Sequence, residues 1–338
     1  MTGTDELMAE LKDIRMSSEV AADLATNFFA TETYLEFRRR LFAIMEKREA
    51  NLKRGITEQK GAAIIGPAGT GKTRMAVQAA EEYARAAEAS GGREFGFRII
   101  SVTVPGRASV RDTCKEILRL LGYPIKANRD EDYLVDLVVS KMEEHRVAGL
   151  HLDEVQDAGK YTTGESMRRF TKRFRNLMQS PRWPVCLILT GTMEAKELLN
   201  EDKTLSRRCS PIEIPRMRRE VDGLVMSRAI REMMEKANLL DTALVDLTEF
   251  QNRLIHAADG RFGMAIELAI EAIEQARLSG GAELDVEHFA EAYYVRTNGD
   301  DELNPFIAER WKSINTQVLL DRVKSDEGTP RQRSRKQI

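Results

Sequence analysis

The segment Gly66–Thr73 reads GPAGTGKT, and it lies between the apolar run Ala62–Ile65 and a stretch with helical periodicity. No other eight residues restrict the possible folds as strongly. Gly66, Gly69 and Gly71 free the backbone to adopt positive φ, so that successive N–H groups turn inward around an anion, with Pro67 and Thr70 completing the loop. Lys72 then sets a point charge on the outer phosphates, and Thr73 offers a hydroxyl to Mg²⁺. The helix that begins there aims its positive end at the same anion. A strand before and a helix after are the contexts this loop needs, so the chain is expected to bind ATP with Mg²⁺ at the carboxyl edge of a parallel sheet.

The rest of the chain supplies the other strands of such a sheet. Short β-rich runs at 61–65, 97–104 (FRIISVTV), 147–153 (VAGLHLD), 185–190 (VCLILT) and 211–214 (PIEI) alternate with helical patterns. Alternation of this kind specifies an α/β fold with a parallel sheet flanked by helices. Between 220 and 295 the strand runs stop, and amphipathic patterns at Leu244–Ala258, Phe262–Leu278 and, behind an Asp285 cap, Val286–Tyr294 predict a small all-helical lid domain. Upstream of the sheet, Phe28, Phe29, Tyr34, Phe37, Leu41 and Ile44 recur at near-helical spacing. The expected organisation is a helical N-terminal extension (1–54), an α/β nucleotide-binding domain (55–218), a helical lid (219–297) and a C-terminal segment (298–338). In that last segment Asn304 and Pro305 are expected to start an amphipathic helix that turns Ile307, Trp311, Ile314 and Val318 to one face and packs on the chain's own body. A basic, disordered tail with Arg331, Arg333, Arg335 and Lys336 is expected to follow it.

Composition removes several classes. Lys plus Arg (52) nearly cancel Asp plus Glu (54), so a nucleic-acid partner has to meet a local patch and not a global field. Three widely spaced cysteines, Cys114, Cys186 and Cys209, form no CxxC pair, which points to a reducing compartment; a cytoplasmic protein is expected. No apolar run approaches the ~20 residues of a membrane span. The four histidines match no zinc spacing, and His151, within a buried strand, is expected to be structural.

A phosphate loop alone does not separate hydrolysis from simple binding, and the strand ending in Asp153-Glu154 supplies the second element. Asp153 at the strand end can hold Mg²⁺, while Glu154 can polarise a water against the γ-phosphate. Thr190 closes the next strand and can touch the γ-phosphate or the attacking water. Arg207 and Arg208 precede the last strand, where an arginine can complete the site of a neighbouring subunit.

Together GPAGTGKT, GLHLDE, LILTGT and LSRRCSPIEI, followed by an all-helical segment, resemble the AAA+ ATPases over roughly residues 55–295, and HLDEVQDAGK, LILTGTMEAKELL and NPF at Asn304–Phe306 are similar to the TniB/TnsC transposition ATPases. The resemblance implies an ATP-hydrolysing homo-oligomer, as a ring or a helical filament on double-stranded DNA, that regulates DNA transposition by recruiting or activating a transposase, with a targeting adaptor as a further partner. It implies that Glu154 is the catalytic carboxylate, Asp153 the Walker B metal residue and Thr190 the first sensor. Arg208 falls where the family's finger arginine precedes an aromatic, but Cys209 follows it and Arg207 adjoins it, which leaves two candidates. Asp157 stands where many relatives carry His, and Arg261 comes two positions early for the arginine of an initiator-type lid helix.

Two segments are candidates for DNA contact, beside the plainer readings of a solvated helix face and an ordinary turn. Arg168, Arg169, Lys172, Arg173 and Arg175 share one broad side of a predicted helix with no acid between them, a strip suited to sequence-independent phosphate binding. The loop after the second strand, with Thr103 and Arg107, is the other, because the corresponding loops of related rings face the channel. Three alternatives remain beside the transposition reading: a replication-initiator or loader-like ATPase, a low-turnover nucleotide-dependent scaffold, and a small-molecule kinase.

Overall fold

The computed structural model of the chain describes residues 3–106, 109–158, 164–240, 242–318 and 320. Five strands, β1 (Gly61–Ile65), β2 (Arg98–Thr103), β3 (Val147–Asp153), β4 (Cys186–Gly191) and β5 (Cys209–Glu213), form one parallel sheet in the order β2-β3-β4-β1-β5. β1, β3 and β4 are buried along their whole length, which is why they read as apolar runs without polar alternation. β2, at one edge, has buried and exposed positions instead. β5 begins two residues before the PIEI run. Cys209 pairs with Gly61, where a Cβ would lie 2.5 Å from the Cys209 sulfur and 2.4 Å from the Leu187 carbonyl oxygen, so only glycine admits this approach.

Among the described residues there are twelve α-helices: α1 (Gly3–Thr26), α2 (Glu32–Leu52), α3 (Lys72–Ala89), α4 (Val110–Leu120), α5 (Glu131–Glu144), α6 (Gly164–Leu177), α7 (Glu194–Glu201), α8 (Lys203–Arg208), α9 (Gly223–Lys236), α10 (Thr248–Ala257), α11 (Phe262–Leu278) and α12 (Val286–Thr297). Several begin on the caps their sequences offer: Thr31 for α2, a Ser109/Asp112 capping box for α4, and Asp130 for α5.

The chain divides into two compact units, Ala30–Pro215 and a second made of Met1–Phe29 with Arg216–Ile338. In the sheet unit, Val102, Leu150, Leu152, Leu187 and Leu189 pack with Ile117, Leu134, Val138, Phe170 and Phe174 in one core. In the helical unit the core is Met226, Ile230, Phe250, Leu254, Ile273, Phe289 and Tyr293 around α11, whose buried Ala265, Ala269, Ala272 and Ala276 let neighbouring helices come close. The N-terminal segment 1–54 is thus not one extension. α2 buries Tyr34, Phe37, Leu41 and Met45 in the sheet unit and donates from Arg48 to the carbonyls of Pro184 (2.8 Å) and Phe95 (2.9 Å). α1 packs on α11 through Leu24 and a Ser18 to Glu274 hydrogen bond of 3.0 Å.

The expected helix from Asn304 to Val318 does not form. Asn304 does begin as a cap, its side chain accepting from the Phe306 amide at 3.1 Å while its amide group donates to the Ala290 carbonyl at 2.8 Å. Arg253 then takes the carbonyls of Pro305 (2.7 Å) and Ala308 (3.1 Å), the acceptors a continuing α-helix needs for the amides of residues 309 and 312. The segment runs instead through turns and a 3₁₀ turn at Trp311–Ser313, and helical residues resume only at 316–318. Phe306 joins Phe250, Phe289 and Tyr293 in the core, and Trp311 and Ile314 are buried, whereas Ile307 and Val318 are exposed. The basic positions 331–336 lie outside the described residues.

Candidate nucleotide site

The site is assembled at the carboxyl ends of β1, β3 and β4. Gly66 donates its amide to the Gly191 carbonyl at 3.2 Å, tying the loop after β1 to the end of β4. Gly69 (φ +77°) and Gly71 (φ +88°) occupy the left-handed region, which turns the chain into α3 without strain. Thr70 Oγ1 and Lys72 Nζ both donate to the Pro67 carbonyl, at 2.8 and 2.9 Å, and both side chains are buried. α3 starts with no side-chain cap, so its first amides are left to an anion.

Asp153 ends β3, buried, and accepts two hydroxyl protons: from Thr73 at 2.8 Å and from Thr190 on its other oxygen. Two hydroxyl-bearing residues and a carboxylate are hard oxygen donors of the kind Mg²⁺ takes, so the residues fit that ion. Glu154, the next residue, has φ +54°, an unfavourable angle for a residue with a Cβ, and such strain persists where surrounding contacts hold it. Gln156 supplies that hold. Its amide group donates to Glu154 Oε2, and its carbonyl oxygen accepts from the Thr192 amide at 3.1 Å. The close fit is reflected at Gly191, where a Cβ would lie 2.6 Å from Gln156 Oε1.

Behind Asp153 runs a polar line the sequence reading did not anticipate. His151 Nε2 lies 2.7 Å from Thr190 Oγ1, and His151 Nδ1 lies 2.8 Å from Ser101 Oγ. Burial pushes the His151 imidazole well below its ordinary range. The period of two along a strand sets His151 on the same face as Asp153, and that spacing was the available signal.

The two candidate arginines sit in different surroundings at the end of α8. Arg208 is buried and donates to Glu58 (2.8 Å) and Gln179 (3.0 Å) of its own chain. Arg207 is exposed and makes no ion pair among the described residues.

The basic strip on α6 is less free than its sequence implies. Acids arrive from other elements: Glu131 pairs with Arg169 and Arg173 at 3.0 Å each, Asp132 with Arg173 at 2.5 Å, and Asp202 with Arg175 at 2.6 Å. Arg168, Arg169 and Lys172 are exposed. Thr103 is exposed at the end of β2, in register with Asp153, and Arg107 lies outside the described residues. In the helical unit Arg261 is buried, with Nε 3.7 Å from Asp259.

With this geometry in place, residues 28–219, more than half of the chain, match the family model described as Bacterial TniB protein. The chain belongs to the TniB family. No curated protein sequence matches it. Among solved structures, Aeropyrum pernix ORC2 in its ADPNP-ADP complexes is 15% identical with a TM-score of 0.56, over 74% of this chain and 66% of that one. Cdc6p from Pyrobaculum aerophilum is 16% identical with a TM-score of 0.52, over 80% and 69%. Aeropyrum pernix ORC1 in complex with DNA is 18% identical with a TM-score of 0.52, over 77% and 66%. The TniB-family chain spans about two thirds of the length of these proteins, and the likeness is one of fold, that of the AAA+ ATPases. Among the described residues no helix is long and apolar enough to cross a membrane.

Proposed function

We propose that this chain is an ATP-hydrolysing regulator of DNA transposition that assembles in several copies on double-stranded DNA and recruits or activates a transposase. The observation that carries the hydrolytic part is the convergence of Lys72, Thr73, Asp153, Glu154 and Thr190 at three adjacent strand ends in a TniB-family chain. The loop amides and Lys72 bind the triphosphate. Thr73 and Asp153 are the donors that would hold Mg²⁺, which when bound would supply positive charge against the negative charge of the phosphates. Glu154, held by Gln156, orients the attacking water and takes its proton.

Arg207 is the finger that reaches the neighbouring subunit's γ-phosphate, because it alone of the pair is exposed and carries no internal ion pair among the described residues. DNA contact rests on the exposed Arg168, Arg169 and Lys172 and the Thr103–Arg107 loop, with the less exposed Arg173 and Arg175 serving chiefly to hold α6 to its neighbours. Aeropyrum pernix ORC1, a protein of similar fold, is found in complex with DNA, which supports DNA as a partner. The test is ATP turnover with and without duplex DNA. Turnover that is stimulated by DNA and lost in Glu154→Gln supports the reading; turnover of equal rate in Glu154→Gln refutes the assignment.

A further inference from the structure

The line of polar side chains behind Asp153 has a fixed direction. Thr73 donates to Asp153 Oδ2 at 2.8 Å, and Thr190 donates to Oδ1. Thr190 has a single hydroxyl proton, so once that proton points at Asp153 its oxygen can only accept from His151 Nε2, 2.7 Å away. The imidazole therefore carries its proton on Nε2. Nδ1 is left as the acceptor, and Ser101 at 2.8 Å donates to it. Every hydroxyl and ring nitrogen in the line is satisfied in one way only. The line crosses three adjacent strands, from exposed Ser101 on the edge strand β2 through His151 on β3 to Thr190 on β4, and ends on the carboxylate at the end of β3.

We infer that His151, supported by Ser101, is a positioning residue for ATP hydrolysis: it fixes the Thr190 hydroxyl proton toward Asp153 and so toward the phosphate side of the site. Without the imidazole donor, the Thr190 oxygen loses the partner that fixes its orientation, and the hydroxyl is held by Asp153 alone. A buried histidine that merely fills space has no need of a donor aimed at this oxygen, and His151 sits between Leu150 and Leu152 in a strand whose other polar side chain is Asp153 itself. The inference rests on the hydrolytic reading above for its consequence in turnover, but not for the direction of the hydrogen bonds.

Substitutions separate positioning from packing. His151→Leu fills the space without a donor and is expected to lower kcat about tenfold at unchanged KM for ATP, the usual cost of removing an outer partner of a site residue. In His151→Gln the side-chain amide reaches the place of Nε2 and donates to Thr190, so most of kcat returns. In a Thr190→Val background the acceptor is gone, and adding His151→Leu is expected to lower kcat by less than about twofold more. Losses that multiply in the double variant, or a His151→Leu enzyme with wild-type kcat, overturn the inference.

A second readout does not depend on turnover. The ring nitrogens of His151 in the full chain, observed by ¹⁵N NMR, are expected to report a neutral imidazole protonated on Nε2, and a ring protonated on Nδ1 overturns the inference. A wild-type chain that showed the Nε2 tautomer but turned over no ATP would refute the hydrolytic reading while leaving the proton direction intact.

Discussion

Replacing Arg207 and Arg208 one at a time asks whether an exposed or a buried arginine completes the site. Arg208 donates to Glu58 and Gln179, and its side chain is 7% exposed, whereas Glu58 is 63% exposed. The ion pair is therefore largely solvated on one side, and the loss in Arg208→Ala comes from the Gln179 bond and the buried stem, about 1–3 kcal/mol of stability. Arg207→Ala removes an exposed side chain and is expected to change stability by less than about 0.5 kcal/mol. If Arg207 acts across a subunit interface, it nonetheless lowers kcat by on the order of 10³-fold, the contribution expected of an arginine that neutralises transferred charge. The assay pairs thermal unfolding with steady-state ATP turnover at concentrations and DNA loads that drive assembly. Mixing gives the sharper result: Arg207→Ala and Glu154→Gln subunits, each inactive alone, form in an equimolar mixture about one interface in four with an intact glutamate facing an intact arginine. Recovery of about a quarter of wild-type turnover is the predicted outcome. No recovery on mixing, or an Arg207→Ala chain with wild-type turnover beside a folded but inactive Arg208→Ala, refutes the reasoning.

Other perturbations have equally definite outcomes. Lys72→Ala is expected to abolish ATP binding, measured by fluorescent-nucleotide titration, while Glu154→Gln keeps the nucleotide and slows turnover by about 10²–10⁴-fold. Charge reversal at Arg168 and Lys172 is expected to lower the slope of log affinity for duplex DNA against log salt by about 2 and to leave nucleotide affinity unchanged; an unaltered slope moves the interface elsewhere. Phe306→Ala empties a position among Phe250, Phe289 and Tyr293, and is expected to cost the helical unit about 3–5 kcal/mol in denaturant unfolding. Burial pushes the thiols of Cys114, Cys186 and Cys209 up to about 12, so at pH 8 thiol reagents are expected to label none of them in the native chain and all three after denaturation.

What the sequence conveyed and what it withheld divide along the range of the interactions. β1, β3 and β4 were legible because a strand covered on both faces must be apolar throughout, and the loop residues because phosphate and Mg²⁺ dictate which chemistries stand at which spacing. β5 starts two residues before its apolar run, since the start of its pairing is set by the approach of Cys209 to Gly61 and by nothing in its own composition. The α6 strip held no acid of its own, yet Glu131, Asp132 and Asp202 reach it from elsewhere in the chain. The C-terminal periodicity was real, but Arg253, some fifty residues upstream, takes the carbonyls that would have continued the helix. Likewise the separation of α1 from α2 depends on which core each apolar face finds. Arg207 and Arg208 are adjacent and chemically identical, so only burial distinguishes them.

We propose that bound nucleotide holds the subunits together on duplex DNA. Electron microscopy of the full chain with duplex DNA, Mg²⁺ and a non-hydrolysable ATP analogue tests it most directly. Ordered multi-subunit assemblies along the duplex, absent without nucleotide and absent for Lys72→Ala, are expected. Isolated subunits under every condition, or the same assemblies with and without nucleotide, would contradict it.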